Sequence, residues 1–322
     1  MNDITIATIG DSTLDTFLEI AQEDASLLCD IRHKDCEVAF KYGEKIPVRE
    51  MRFSFGGSAL NAATGFAALG LSTCIYTILG DDNYGKAGIN YLNSQRVNTE
   101  NVVLDGRTNQ STIVIYQKER TIFSYHFPRD YSKITPEKAD WIYFCSATQG
   151  SDKMIAPVRE YIGQGSKLVF NPGSWQLKNF EHFIPFVALS EIFILNRSEA
   201  DTVIGEQGDI SKQLDKMQKL GTKIAVITDG ANGAYAISSG KKIHMSTLAT
   251  TVVDPTGAGD AFSVGFVIGI IMDLSIEDSL KWGMVNSGHI IENIGANENL
   301  LNLDKLKFNA DRAMSAKASI IK

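Results

Sequence analysis

Short apolar runs separated by longer amphipathic segments dominate the chain after residue 140. Four of these runs contain almost no polar residues: WIYFC (141–145), KLVFN (167–171), IFILN (192–196) and KIAVIT (223–228). Strands that are apolar along their whole length are typical of a parallel sheet covered by helices on both faces. The pattern therefore predicts an α/β fold with a mostly parallel central sheet. Ligands of such sheets bind at the carboxyl ends of the strands.

The first 130 residues follow a more mixed pattern. Hydrophobic periodicity predicts strands at 4–10 and 73–80 and helices at 57–70 and 83–95. The runs STIVIYQ (111–117) and RTIFSYHF (120–127) alternate in polarity and predict two paired strands. Residues 15–55 are charged and interrupt the α/β rhythm. We expect 15–55 and 111–127 to form a small β appendage on one domain that spans residues 1–322.

Composition excludes some classes of protein. Of the 322 residues, 44% are hydrophobic and 21% are charged, which is ordinary for a globular protein. The net charge of -7 argues against a general attraction to nucleic acid or to anionic membranes. The most apolar run, residues 261–274, is too short to span a membrane and suits a buried helix. The N-terminus has no basic segment followed by an apolar core, so we expect a cytoplasmic protein without membrane partners.

The four cysteines are too scattered to suggest a metal or disulfide framework. They are Cys29, Cys36, Cys74 and Cys145, and none of them forms a CxxC pair. No histidine-rich segment accompanies them. We expect all four to be reduced thiols.

The stretch TGAGDAF (256–262) carries the clearest chemistry. Gly257, Ala258 and Gly259 have almost no side chain, so their backbone N–H groups can approach a ligand at the start of the following helix and bind an anion. Asp260 lies beside them and can accept a proton from a hydroxyl group while the amides hold charge on a phosphoryl group. A purely structural alternative is a tight turn with Asp260 complementing the helix dipole. The stretch alone leaves both interpretations open.

Several motifs in order along the chain resemble the ribokinase, or PfkB-type, family of carbohydrate kinases. DPTGAGDAF (254–262) resembles the C-terminal signature of that family, and FGGSALNAATGFAALG (55–70) resembles its N-terminal signature. Three shorter matches are NRSE (196–199), TDGANG (228–233) and GDSTLD (10–15). The resemblance covers almost the whole chain. It implies a ribokinase-like fold in which the β appendage is a lid over the substrate.

The resemblance also implies a role for each motif. Asp260 would be the general base, and the amides of Gly257, Ala258 and Gly259 would form the anion hole. ATP and Mg²⁺ would be the cofactors, and the residues expected to organise the phosphates are Asn196, Glu199, Thr228 and Gly230. Glu199 would act on Mg²⁺ through water, because Mg²⁺ keeps much of its hydration shell.

Two further groups of residues follow from the resemblance. Asp11 and Asp15 would bind substrate hydroxyls, with Gly56, Gly57 and Asn61 lining the same pocket. Many members of the family use a monovalent cation such as K⁺ beside the anion hole. Two residues match positions that bind this cation, Asp254 and Thr256, and the segment NIGANEN (293–299) resembles the one that supplies the other ligands.

The predicted lid carries aromatic residues on one face, because Phe123, Tyr125 and Phe127 alternate with other residues. That face packs in the core or against a second copy in a homodimer, or it stacks on a substrate ring and covers the site. Four lid arginines are either solvated or available to a phosphorylated sugar: Arg49, Arg52, Arg120 and Arg129.

These assignments predict a kinase that transfers the γ-phosphate of ATP to a hydroxyl of a sugar or of a small molecule that contains a sugar. A nucleoside kinase of the same family is the alternative enzyme, since GGSALN and DPTGAGD resemble the variants of both. A catalytically silent ligand sensor on the same fold is the alternative outside the enzymes. The presence of both Asp260 and the anion loop argues against it.

Overall fold

The computed structural model describes residues 4–30, 36–117, 119–313 and 315–321. Its strands are β1 Thr5–Ile9, β2 Thr13–Ile20, β3 Ser26–Cys29, β4 Cys36–Ala39, β5 Val48–Gly56, β6 Ser72–Tyr76, β7 Ile78–Leu79, β8 Val103–Leu104, β9 Asn109–Tyr116, β10 Glu119–Tyr125, β11 Trp141–Phe144, β12 Lys167–Phe170, β13 Ile192–Asn196, β14 Ile224–Thr228, β15 Ala234–Ser238, β16 Lys241–Met245 and β17 Ala318–Ile320. Its α-helices are α1 Ser58–Ala68, α2 Asn83–Ser94, α3 Ile155–Gly163, α4 Ser174–Lys178, α5 Phe180–Leu189, α6 Arg197–Val203, α7 Ile210–Lys219, α8 Ala258–Ile271, α9 Ile276–Ile290 and α10 Leu303–Arg312.

A nine-stranded sheet has the order β17-β16-β15-β14-β13-β12-β11-β1-β6. All neighbours from β6 to β14 are parallel, and the four apolar runs identified in the sequence are the adjacent strands β11 to β14. The prediction of a mostly parallel sheet is confirmed. The antiparallel extension through β15, β16 and β17 was not predicted. The predicted strand at 73–80 is split, because β7 leaves the large sheet and pairs with β8.

Helices cover both faces of this sheet, as predicted. Successive residues of a strand point to opposite faces. Phe170 of β12 stacks on Phe186 of α5 with ring centroids 5.4 Å apart, whereas its neighbour Val169 belongs to the other core layer, with residues of α1, α8 and α9. Each strand therefore contributes to two cores, which explains its uninterrupted apolar sequence.

The apolar run after the anion loop forms the buried helix α8, which packs closely against α9. A side chain at Gly265 would place its Cβ 2.6 Å from the Trp282 carbonyl oxygen, and one at Gly269 would lie 2.7 Å from the Ser279 hydroxyl. Both distances are too short for a carbon atom, so the two glycines allow the helix backbones to approach each other. This packing fixes α8 and with it the position of the residues at its N-terminus. No helix in the described part of the chain is long and apolar enough to cross a membrane.

A second sheet of four strands, called the lid sheet below, has the order β10-β9-β2-β5. It contains the two strands predicted near 111–127, paired antiparallel as β9 and β10, and two strands from the predicted segment 15–55. Strands β2 and β9 are parallel to each other. The composition of the sheet matches the predicted β appendage. Its action as a lid stays a prediction.

The two faces of the lid sheet differ in chemistry. The strand register places Asp15, Ser54, Ser111 and Ser124 on one face, the inner face, which also carries Arg120. The guanidinium of that arginine contacts the loop before α8, so the inner face lies toward the anion loop.

The opposite, outer face carries the aromatic residues. Phe123 is 59% exposed and Tyr125 is 49% exposed, and Met51 and Phe53 are exposed on the same face at the other edge of the sheet, in β5. The prediction that Phe123 and Tyr125 share a face is confirmed. The prediction that this face covers the site is wrong. Side chains alternate between the two faces along a strand, and the register places Phe123 and Tyr125 on the face opposite to that of Asp15. Phe127 lies beyond β10 and is half-buried under the Arg129 guanidinium.

One expectation about the cysteines is also wrong. Cys29 and Cys36 form a disulfide that joins β3 to β4. These strands pair antiparallel with Cys29 directly opposite Cys36, which brings their Cα atoms to 4.1 Å. A search for CxxC spacing does not detect a pair that becomes adjacent only across a hairpin. Cys74 and Cys145 are free thiols, as expected.

Candidate active site

A cavity of about 280 Å³ lies at the carboxyl ends of strands β12, β13 and β14. It is closed on one side by the N-terminus of α8. Seven of the residues predicted from the motifs line this cavity: Asn196, Glu199, Thr228, Gly257, Ala258, Gly259 and Asp260. The fold therefore brings the 196–199, 228–233 and 254–262 motifs together at the sheet edge where a ligand was expected.

The two glycines of the anion loop differ in how much space the protein leaves for a side chain. Gly257 is the N-cap of α8 with φ of 76°, and a Cβ there would lie 2.3 Å from the Cβ of Ala296. Gly257 is thus required by the turn itself. A Cβ at Gly259 would have no neighbouring atom within 4 Å. Since Gly259 lines the cavity, its missing side chain leaves room there. The Ala258 amide donates to the Pro255 carbonyl at 3.2 Å, which engages it in the turn.

Asp260 lies in the first turn of α8, at the wall of the cavity. The side-chain amide of Asn61 donates to its Oδ2 at 2.7 Å. Burial raises the pKa of the Asp260 carboxyl above its ordinary value, and hydrogen bonds from Asn61 and Ser58 oppose that rise without cancelling it. A carboxylate with a raised pKa is a better proton acceptor than an exposed aspartate.

Asn61 is held in place from its other side. Its Oδ1 accepts from the amide of Asn297 at 2.7 Å, and Oδ1 of Asn297 accepts from the Thr64 hydroxyl at 2.7 Å. The Asn297 amide also donates to the Phe55 carbonyl at 2.9 Å. Both ends of the Asn61 amide are therefore used within the protein. The structure places Asn61, predicted as a substrate contact, as a support for Asp260.

Asn196 and Glu199 cap α6 reciprocally. The Asn196 side chain accepts from the Glu199 N–H at 2.9 Å, and Oε2 of Glu199 accepts from the Asn196 N–H at 2.8 Å. Burial raises the pKa of Glu199, and the nearby charge of Asp260 raises it further. Glu199 thus has a structural role as well as a place at the cavity. No cluster of three or more His, Cys, Asp or Glu side chains in the described residues could hold a metal ion.

A second cleft, of about 430 Å³, adjoins the first. The two share Thr228, Pro255, Ala258 and Gly259. The walls of this cleft are largely apolar and include Leu248, Val252, Phe262, Met284 and Ile291. Gly230, predicted as a phosphate contact, lies at the cleft, and a Cβ there would meet no atom within 4 Å. An apolar cleft that opens onto an anion loop has the chemistry needed for a nucleotide: a dry surface for a base and amides for phosphates.

Asp15 lies on the inner face of the lid sheet and is buried. It accepts from the Thr13 hydroxyl at 3.1 Å and from Ser111. Burial raises the pKa of Asp15, and the charge of Asp254 raises it further. A Cβ at Gly56 would lie 2.4 Å from Oδ2 of Asp15, so the absence of a side chain at Gly56 makes space for this carboxylate.

Asp11 lies deeper in the structure than Asp15. The Tyr131 hydroxyl donates to its Oδ1, and the Ser146 hydroxyl donates to its Oδ2 at 3.4 Å. Burial raises the pKa of Asp11. Gly57, with φ of 91°, packs so closely that a Cβ would lie 2.6 Å from the Asp11 carbonyl oxygen. Both carboxylate oxygens of Asp11 therefore have partners within the protein.

Asp254 and Thr256, the predicted cation ligands, precede the anion loop. Oδ1 of Asp254 accepts from the Thr256 N–H at 2.9 Å and from the Thr256 hydroxyl at 2.6 Å. Its Oδ2 accepts from the Gly295 N–H at 2.9 Å, which joins it to the 293–299 segment, whereas the binding of a cation there stays a prediction. The Arg120 guanidinium also contacts both Asp254 and Thr256.

The structure adds residues that the motifs did not assign. Asn171 and Ser146 line the cavity, and the Tyr143 hydroxyl beneath it donates to Oδ1 of Asn171 at 3.1 Å. One sequence signal pointed to Asn171: the run KLVFN ends in asparagine at a strand terminus, as IFILN does at Asn196. The sequence marks Arg120 only as a lid arginine and Asn297 only as part of the 293–299 segment, because their partners lie in distant parts of the chain.

The fold and the cavity define a ribokinase-like α/β kinase. A model of the pfkB family carbohydrate kinases matches residues 26–302, and the chain belongs to that family. It is accordingly a phosphotransferase with an alcohol group as acceptor.

Relatives within this family differ in their named substrates. The chain is 26% identical over 290 residues to an ATP-dependent 6-phosphofructokinase of Thermoanaerobacterium thermosaccharolyticum, covering 84% of this chain and 89% of that one. The ribokinase of Arabidopsis thaliana complexed with ribose and ATP has a TM-score of 0.76 at 19% identity, covering 95% and 98% of the two chains. The nucleoside kinase of Methanocaldococcus jannaschii also has a TM-score of 0.76, at 18% identity, covering 97% and 99%. These structural likenesses support the fold alone.

Proposed function

We propose that the protein transfers the γ-phosphate of ATP to a hydroxyl group of an unphosphorylated sugar. The observation that carries this proposal is the position of Asp260 on the same cavity as the anion loop, next to an apolar cleft that shares Thr228 and Gly259 with it. A catalytically silent sensor has no need for a supported base at a phosphate site, and Asn61 holds Asp260 there.

The proposed mechanism uses the residues of the cavity in turn. The apolar cleft binds the nucleoside part of ATP, with Thr228 and Gly230 at the phosphates. Asp260 accepts the proton of the acceptor hydroxyl as that oxygen attacks the γ-phosphorus, the bond from this phosphorus to the oxygen bridging the β- and γ-phosphates breaks, and ADP leaves. The free N–H groups at the start of α8, at Gly257 and Gly259, then stabilise the charge on the transferring phosphoryl group. The helix N-terminus adds a favourable field for this anion.

Mg²⁺ fits beside Glu199 and Asn196, which line the phosphate end of the cavity. It would be held mainly by phosphate oxygens and water, since few carboxylates converge there, and this matches the ordinary coordination of Mg²⁺ in kinases. When bound, Mg²⁺ would neutralise charge on the phosphates. The residues of this chain would orient its water molecules.

The proposed acceptor contact is Asp15, because it shares the inner face of the lid sheet with Arg120, whose guanidinium contacts Asp254 just before the anion loop. One carboxylate can accept hydrogen bonds from two hydroxyl groups, which suits a polyol. The described inner-face residues of β10 are Arg120, Ile122 and Ser124, and none is aromatic. A purine or pyrimidine would have no ring from β10 on which to stack, and this supports a sugar over a nucleoside.

The four lid arginines support an acceptor without a phosphate group. Arg49 pairs with Glu19 at 3.4 Å and Arg52 pairs with Glu50 at 2.7 Å. Arg120 contacts the Asp254 carboxylate, and Arg129 donates to backbone carbonyl groups. Each of these arginines has an oxygen partner within the chain, so none is held open for a phosphosugar.

A screen of phosphoryl acceptors tests the proposal. Purified protein with Mg²⁺ and ATP would be assayed for ADP formation with ribose, fructose, phosphosugars, ketodeoxy acids and nucleosides, and each product would be identified by mass spectrometry. We expect turnover with a neutral sugar and a rate lower by roughly 10²- to 10⁴-fold in the Asp260→Asn variant. Efficient phosphorylation of only a nucleoside or a phosphosugar would contradict the proposed acceptor class.

A further inference from the structure

The lid sheet brings one positive charge to the loop before the anion hole. Arg120 lies on the inner face of β10, and its Nη1 donates to Oδ1 of Asp254 at 3.0 Å and to the Thr256 hydroxyl. Thr256 directly precedes Gly257, where the anion loop begins. The contact therefore joins the lid sheet to the phosphate-binding end of α8.

Donors within the protein occupy most acceptor positions of the Asp254 carboxylate. Its Oδ1 receives the Thr256 N–H, the Thr256 hydroxyl and the Arg120 guanidinium, and its Oδ2 receives the Gly295 N–H. Two carboxylate oxygens offer about four lone-pair positions in total. Oδ1 has three donors and is saturated, whereas Oδ2 has one donor and keeps one position; Asp254 itself is only 5% exposed.

A monovalent cation fits poorly among these groups. The family resemblance implies K⁺ beside the anion loop, with Asp254 and Thr256 among its ligands. A K⁺ ion on Oδ1 of Asp254 or on the Thr256 hydroxyl would have to displace Arg120, and one at the remaining position of Oδ2 would lie beside the guanidinium that contacts the same carboxylate. Two like charges at such a distance repel each other strongly where solvent is largely excluded. The residues present therefore favour the arginine over the metal ion.

The anion hole nevertheless needs a cation near Asp254. A helix N-terminus carries roughly half a positive charge. A full negative charge on Asp254, three residues before Gly257, would oppose the binding of phosphates at that hole. A positive charge in contact with Asp254 cancels this effect. The guanidinium of Arg120, which contacts Asp254, is placed to supply this positive charge.

We propose that Arg120 is the resident cation of the anion loop and that its guanidinium replaces the monovalent ion. The protein then binds nucleotide and turns over without K⁺. Because Arg120 belongs to the lid sheet, the charge reaches Asp254 when β10 lies against the loop, as it does in this structure. The part of this inference that concerns turnover rests on the proposed kinase function, whereas the part that concerns cation binding does not.

Thermal unfolding provides the test that needs no substrate. The melting temperature of each protein would be measured in KCl and in choline chloride at equal ionic strength. We expect the wild type to melt at the same temperature in both salts. Arg120→Gln removes the charge and frees one position on Asp254, so K⁺ should stabilise this variant by mass action. Arg120→Lys keeps a positive charge and should remain indifferent to K⁺.

Kinase assays in the same two salts test the functional part. In choline chloride, Arg120→Gln should lose roughly tenfold or more of its kcat/KM, since a hydrogen bond between charged groups is lost. KCl should restore most of that loss. Arg49→Gln is the matched control, because Arg49 is an exposed lid arginine paired with Glu19, and it should behave as the wild type in both salts.

Each outcome bears on the proposal. Saturable activation or stabilisation of the wild type by K⁺ would overturn the proposal. A stably folded Arg120→Gln protein whose melting temperature and kcat/KM do not change with K⁺ would overturn it as well. If K⁺ stabilises Arg120→Gln but no protein phosphorylates any acceptor, the proposed kinase function fails while the assignment of Arg120 stands. If Arg120→Gln does not fold, K⁺ indifference of both the wild type and Arg120→Lys supports the proposal, and a K⁺ response in either overturns it.

Discussion

Asn61 donates its side-chain amide to Oδ2 of Asp260 at 2.7 Å, although the two residues are 199 positions apart in the chain. The bond joins the N-terminal signature to the C-terminal one. Asn61 is itself fixed by Asn297, so three distant segments determine where the Asp260 carboxylate points. Orientation of a general base by a third group is a recurrent arrangement in active sites.

The first prediction concerns Asn61→Ala. A hydrogen bond to the carboxylate form lowers a pKa, so its loss should raise the already raised pKa of Asp260. The base must be ionised to accept a proton, and the acid limb of the kcat/KM profile should therefore move to higher pH. We also expect kcat to fall by roughly 10- to 100-fold through loss of orientation. The exposed Asn90→Ala is the control. If the acid limb does not move, Asn61 does not influence the pKa of Asp260.

The second prediction concerns catalysis by Asp260→Asn. The amide keeps the size of the side chain but cannot accept the proton, so kcat should fall by roughly 10²- to 10⁴-fold. The affinity for ATP, measured by calorimetry, should remain close to that of the wild type. If the variant keeps most of its kcat, Asp260 is not the general base.

The same substitution should increase stability at neutral pH. Burial raises the pKa of Asp260 in the folded protein above its value in the unfolded chain. Such a carboxyl favours folding when it is protonated, below its unfolded pKa, and that contribution is lost as pH rises through the folded pKa. At pH 7 the wild type therefore holds a destabilising charge that asparagine lacks. We expect the melting temperature of Asp260→Asn to exceed that of the wild type by a few degrees at pH 7 and to match it at low pH. A lower melting temperature at pH 7 would contradict the assignment.

Sequence patterns predicted the parallel strands well because those strands are apolar on both faces, which leaves an unambiguous signal. They also placed Gly257, Gly259 and Asp260 at the start of a buried helix, and the fold brings these residues to the cavity. Their anion-binding and catalytic roles stay predictions. The orientation of Phe123 and Tyr125 could not be predicted in the same way. Alternation shows that the two residues share a face, but only the contact of Arg120 with Asp254 shows which face lies toward the site.

The support of Asp260 was equally hidden in the sequence. Asn61 belongs to a recognised motif, yet its partner Asn297 lies in a loop more than two hundred residues away, and hydrogen bonds between distant loops have no periodicity. The disulfide between Cys29 and Cys36 was missed for a similar reason, since it depends on the register of a hairpin. Local patterns predict elements, whereas pairings between elements require the fold.

A third prediction compares the two glycines of the anion loop. A Cβ at Gly259 would meet no protein atom, but it would occupy the cavity, so Gly259→Ala should lower activity while the melting temperature stays near that of the wild type. A Cβ at Gly257 would lie 2.3 Å from Ala296 with φ at 76°, so Gly257→Ala should destabilise the protein by roughly 1 kcal/mol or more. Thermal unfolding and kinase assays on both variants check this contrast. Equal loss of stability in both would show that Gly259 is needed for the turn.

A fourth prediction concerns the outer face of the lid sheet. Homodimer formation through the lid stays a prediction, and the exposed Phe53 and Phe123 mark the surface it would use. Exposed apolar patches commonly mark protein interfaces. If two copies meet there, Phe123→Lys should reduce the molar mass measured by light scattering from that of a dimer to that of a monomer. Ile184→Lys, at an exposed apolar position on α5, is the control and should leave the mass unchanged. A wild type that is monomeric at all concentrations would exclude this interface.

The last prediction separates the two faces of the lid sheet by their effects on the acceptor. Asp15 lies on the inner face and is the proposed hydroxyl contact, so Asp15→Ala should raise the KM for the acceptor much more than the KM for ATP. Loss of a hydrogen bond to a charged group corresponds to roughly a 10- to 100-fold change. Tyr125→Ala removes an aromatic ring from the outer face and should leave the acceptor KM unchanged, because this ring points away from Asp15. Steady-state kinetics with the sugar identified in the acceptor screen would measure both. A large rise in acceptor KM for Tyr125→Ala, with none for Asp15→Ala, would mean that the substrate binds on the other side of the sheet.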